Sequence, residues 1–182
     1  MRPLRSVLEA VWHADARGRL AERTAAQLRE QLPEDHVVLA RYAPRDRGDR
    51  IALVIIGRDR LFVVEPRDED GDLQCYQDHW YRRTGPNAAH PLSDPPSLRA
   101  RRNAERVRGD LGTGGFLNVR IEPLVVLTRA RPDDVRSSCV PVIAGLDALV
   151  RYMLRSASGD ASPERTHALA SALARNITVA AS

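Results

Sequence analysis

The chain has 182 residues, with 28 basic against 24 acidic side chains and a formal net charge of +4. That length supports one domain of ordinary size, and 43% hydrophobic residues supply a core without help from disulfides or a structural metal. Cys75 and Cys139 lack any C-x-x-C partner, which excludes a disulfide framework and a thiolate zinc site as organising features.

The N-terminal stretch sets Leu4, Val7, Leu8, Val11 and Trp12 at helical spacing behind Pro3, and predicts an amphipathic helix. After a break at Ala16 to Gly18, Leu20, Thr24, Leu28 and Leu32 repeat every fourth residue until Pro33, predicting a second helix with Glu22 on its polar side. A short strand from Val37 to Ala40 precedes an Arg- and Asp-rich loop from Arg41 to Arg50. Ile51 to Gly57 and Leu61 to Glu65 are β-branched runs separated by a tight turn, and predict a hairpin. With a two-residue turn between Gly57 and Arg60, its register sets Ala52 opposite Glu65.

Leu73 to Tyr76 predicts a further strand ending near Trp80, followed by a Pro-, Gly-, Asn- and Ser-rich loop from Thr84 to Pro96. Leu98 to Leu111 predicts a helix with Ala100, Ala104, Val107 and Leu111 inward and Arg99, Arg101, Arg102, Arg106 and Arg108 mostly outward. Ile121 to Thr128 and Ser138 to Ile143 are the remaining strand candidates, and Leu146 to Leu154 predicts a helix. Ser156 to Ala161 is a small-residue linker before a last helix from Ser162 to Arg175. This order predicts an α/β fold, a mixed sheet flanked by helices, with residues 1–155 as the main domain and 156–182 as a linker and an extra C-terminal helix.

All 28 basic residues are arginine, so a site that needs a titratable amine is excluded, whereas guanidinium clamps on phosphate are not. No apolar run has the length of a membrane span, and the stretch from Met1 to Gly18 lacks the apolar core of a secretory signal. A cytoplasmic protein is expected. Strand alternation puts Glu65 and Arg67 on one face if the strand continues through Pro66, which brings an ion pair between them within reach.

The run from Ile51 through the hairpin to Glu65, Pro66 and Arg67, with Gly71, Asp72, Leu73 and Trp80 after it, resembles the nuclease-related domain (NERD) family, a branch of the PD-(D/E)-x-K nucleases. The resemblance extends from about Leu20 to Leu154 and implies a restriction-endonuclease-like fold. It puts Glu22 at the family's helical Glu, Glu65 at the Glu of Glu-x-Lys and His90-Pro91 at the Asn-Pro segment. Three departures fall on the chemistry: Ala52 stands at the metal-binding Asp, Arg67 at the Lys and Asp94 at the Gln.

The resemblance thus implies a degraded catalytic centre of Glu22, Glu65 and Arg67, and a DNA- or RNA-binding protein that does not cleave efficiently. Arg99, Arg102 and Arg106 are the expected nucleic-acid contacts. Two rival readings stand beside it. In one, the protein is an active nuclease using Mg²⁺ or Mn²⁺ held by Glu65 and a displaced Asp49, with Arg67 stabilising charge on phosphorus. In the other, it is a protein-interaction module whose last helix pairs with a second copy of the chain.

Overall fold

A computed structural model describes residues 4–85, 88–156 and 163–179, and its first helix, α1 (Leu4–Gln31), is one element where the spacing predicts two. Gly18 lies in its interior. A helical glycine costs only about 1 kcal/mol relative to alanine, and the favourable helix formers Arg17, Arg19, Leu20 and Ala21 around it carry the helix across the expected break. The side chains of the Leu4 to Trp12 stripe lie outside the described residues. Further along, Leu20, Ala25 and Leu28 are buried.

The main sheet has five strands in the order β1 (Val37–Tyr42), β2 (Ile51–Ile56), β3 (Arg60–Arg67), β7 (Arg120–Leu127) and β9 (Val142–Ala144). Its first three strands are antiparallel, and β3, β7 and β9 run parallel. The hairpin has the predicted register, with Leu53 opposite Val64 and Ile56 opposite Leu61, and the Gly57 amide closes the turn on the Arg60 carbonyl at 2.9 Å. The mixed sheet flanked by helices is the architecture expected of a restriction-endonuclease-like domain.

A second, four-stranded mixed sheet, absent from the expectation, has the order β6 (Ala88–Pro91), β5 (His79–Gly85), β4 (Asp72–Tyr76) and β8 (Arg131–Asp134). The strand that ends near Trp80 in the sequence reading is really a hairpin of β4 and β5. Gln77 and Asp78 both adopt positive φ, 49° and 62°, and turn the chain in two residues. Asp78 is a residue such turns favour but Gln77 is not, so the Asn-Gly or Asp-Gly signal is missing. The expected Thr84 to Pro96 loop holds β6, and the expected strand from Ser138 to Ile143 shrinks to β9, because the chain at Ser138 to Pro141 turns instead.

Helices α1 and α3 (Leu146–Ser156) cover one face of the main sheet, where Leu28, Leu53, Phe62, Leu124 and Leu149 share a core. Helices α2 (Pro96–Thr113) and α4 (Pro163–Val179) cover the other, with Val54, Leu61, Val63, Val107 and Leu111. Leu169 and Leu173 join this second cluster, so α4 shares the domain's core even though the sequence groups it with a tail. The smaller sheet packs Leu73, Cys75 and Trp80 against β7 and the start of α2, where the Trp80 indole N–H donates to Ser97 Oγ at 2.9 Å. Among the described residues, no helix is long and apolar enough to cross a membrane.

Candidate functional site

The site forms where β3 outruns its antiparallel partner. The ladder to β2 is paired as far as Leu53 and Val64, while the parallel ladder to β7 continues through Glu65, Pro66 and Arg67. Proline has no N–H to give to a ladder, and it is tolerated here because β2 pairing has already ended. Thr128 closes the strand end, its backbone N–H and its hydroxyl both donating to the Arg67 carbonyl. Glu65 therefore sits on a fixed strand, facing the same way as Leu61 and Val63.

Glu65 forms part of a cavity of about 160 Å³ that also takes in Arg17 and Gly18 of α1, Arg41 of β1, Asp49 and Arg50 of the following loop, Ala52 of β2 and Arg99 of α2. Glu65 is 3% exposed. Its charge partner is Arg99, whose Nη1 lies 3.5 Å from Oε1. Arg99 is held from the other side by Asp94, which also pairs with Arg17 at 3.1 Å. Burial pushes the Glu65 carboxyl above the ordinary glutamate range, and Glu69 adds to the rise, while Arg99, Arg67 and Arg17 oppose it. Burial likewise holds the Arg99 guanidinium below its usual value, with Glu65 acting against that fall.

Arg41 is in the left-handed region, with φ of 53°. The β1 to β2 ladder pairs Ala40 with Leu53 and Tyr42 with Ile51 and skips Arg41 between them. Its guanidinium lies over α1, so close that a Cβ on Gly18 would come within 3.3 Å of Arg41 Nε and Cζ. The glycine that suggests a helix break instead clears space for this side chain.

Two further depressions adjoin the cavity through shared walls. One of about 590 Å³ takes in Arg17, Arg67, Arg82, Asp94 and Arg99, and one of about 290 Å³ takes in Asp49, Arg50, Arg99, Arg102 and Arg106. Arg99 belongs to all three. Together they hold eight arginines against six acids.

The structure brings only some of the sequence candidates together. Glu22 is exposed and does not line the Glu65 cavity. Asp49 does line it, although the residue is exposed. Arg67 does not make the reachable pair with Glu65; its guanidinium reaches past the strand end to Glu69. Arg99, expected on the outer side of its helix, is turned into the cavity. Arg102 is exposed beside it, and Arg106 is engaged by Asp46 at 2.6 Å and by the Asp49 carbonyl at 2.8 Å. That contact holds the Asp46 carboxyl down at about 2.

Arg17 was not singled out by sequence reasoning, because a lone arginine on a helix carries no spacing signal. Among the described residues, no group of three His, Cys, Asp or Glu side chains is placed to hold a metal ion.

A family model described as nuclease-related domain matches residues 16–128, from within α1 through β7. The match stops short of the Leu154 limit drawn from the resemblance. No curated protein and no solved structure matches the chain. The matched segment contains the hairpin, Glu65 and every residue of its cavity, and with more than half of the 182 residues inside it the chain belongs to the nuclease-related domain family.

Proposed function

We propose that this nuclease-related domain binds nucleic acid along the arginine-lined groove around Glu65 without cleaving it efficiently. The observation that carries this reading is the run of three adjoining depressions that meet at Arg99. Several of the acids in the groove are already taken by arginines within it. Arg41, Arg50, Arg82 and Arg102 have no acidic partner among the described residues, which leaves guanidinium groups for phosphates.

The same geometry argues against efficient hydrolysis. Divalent-metal hydrolysis needs hard oxygen donors that converge on one point. Ala52 offers none, Glu22 is on solvent, and the Glu65 carboxylate already has the Arg99 charge beside it. The donor set does not fit Mg²⁺ or Mn²⁺. Arg67 stays protonated and has no proton-accepting role. Asp49, at the cavity rim, is the feature that favours the rival active-nuclease reading.

The test is incubation of the purified protein with supercoiled and linear DNA and with RNA, in Mg²⁺, in Mn²⁺ and in EDTA, followed by native gels. The expected result is an intact substrate with a salt-sensitive mobility shift, and each of Arg50→Gln and Arg102→Gln lowers the salt slope by about 1. Metal-dependent nicking that vanishes in both Glu65→Gln and Asp49→Asn establishes the nuclease instead. Absence of both nicking and shift moves the reading to a protein-interaction module.

A further inference from the structure

Backbone binding along a groove does not account for the construction of its central cavity. Arg41 is kept in a backbone conformation that L-residues avoid, and such conformations persist where the surrounding structure enforces them and cluster at binding sites. Gly18 leaves the room its guanidinium occupies. Arg50 donates to the Arg41 carbonyl at 3.2 Å, so the two arginines stand side by side, and neither has an acidic partner among the described residues.

Opposite them is Glu65, 3% exposed and facing Arg99. Counting every charged side chain that lines it, Arg17, Arg41, Arg50 and Arg99 against Asp49 and Glu65, the cavity presents a net charge of +2 to whatever enters. Its volume of about 160 Å³ equals the liquid volume of about five waters. That is room for one phosphate group, with any attached nucleotide lying in an adjoining depression. A net charge of +2 also matches the charge of a phosphate monoester better than the single charge of a diester.

We propose that this cavity receives the terminal phosphate of a nucleic-acid strand without a divalent cation, with Arg41 and Arg50 gripping its oxygens and Arg99 standing in the cation's place beside Glu65. The proposal rests on the nucleic-acid reading above and narrows it to strand ends.

Fluorescence anisotropy with the full chain tests it, using one short single-stranded oligonucleotide sequence with a 5′-phosphate, with a 3′-phosphate, or with hydroxyls at both ends, in EDTA and then in Mg²⁺. A phosphorylated end is expected to bind about tenfold tighter than the hydroxyl form. The preference should be the same in EDTA and should be lost in Arg41→Gln. Gly18→Ala should weaken it, by pushing the Arg41 side chain aside by a few tenths of an ångström, while keeping or raising the melting temperature, which separates damage to the site from loss of the fold.

Inorganic phosphate should compete away the preference and leave the hydroxyl oligonucleotide bound. Equal affinity for all three oligonucleotides overturns the strand-end proposal and leaves groove binding standing, as does a preference retained in Arg41→Gln. A preference that appears only with Mg²⁺ overturns the role given to Arg99. Binding of none of the three overturns the nucleic-acid reading itself.

Discussion

At Glu65, burial and ionisation pull against each other. Its carboxyl is raised above the ordinary range in the folded chain and has an ordinary value in the unfolded one, so between those two values the folded state holds the proton more tightly. Stability from this residue is complete below the unfolded value and falls as pH rises through the folded one. Glu65→Gln removes the titration, and the variant should therefore gain stability relative to the wild type as pH rises from about 4 toward neutrality. Urea midpoints measured across that range check this, and a gap that stays constant or moves the other way contradicts it. Much of this chemistry is legible in the hairpin, whose register brings Ala52 and Glu65 to one cavity just beyond its last pair, Leu53 and Val64. The partners are not. Arg67 extends to Glu69 because it lies at the strand end, while Arg99 reaches Glu65 from the first turns of another helix, a contact no local pattern encodes.

At the level of elements, periodicity identified what packing enforces. The buried face of α2 follows the predicted Ala100, Ala104, Val107 and Leu111 stripe, and the hairpin follows its alternation. The smaller sheet escaped because its edge strands β6 and β8 are fully exposed, so no alternation marks them. The unbroken α1 escaped because Gly18 is explained by a side chain 23 positions further along the sequence, at Arg41. The last helix shows the same limit. Its apolar residues are legible, but its seat on the α2 side of the sheet is not. Leu173 is 0% exposed there, so Leu173→Ala should cost about 2–5 kcal/mol in urea unfolding. A change below about 0.5 kcal/mol, the range of an ordinary surface substitution, would mean that the helix is an appendage rather than part of the core.

Over the whole molecule, the layers decide where the chemistry can be. Two helices cover each face of the main sheet, and the cavity opens where β3 runs on beyond its β2 pairing and α1, α2 and the loop after β1 converge. A net charge of only +4 hides this arrangement, since six acids stand among the eight arginines of the groove itself. The absence of lysine was a better guide than the net charge, because it leaves guanidinium as the one permanent cation available to the site. Arg99 stands beside Glu65, and in the reading proposed above it takes the place of a divalent metal there. Titration of the free Mn²⁺ spectrum by electron paramagnetic resonance, with the wild type and Glu65→Gln compared in the same buffer, tests it most directly. Only weak binding without a defined stoichiometry, identical in the two proteins, is expected; one tightly bound Mn²⁺ per chain that disappears in Glu65→Gln would show that a metal, not Arg99, is the cation of the site.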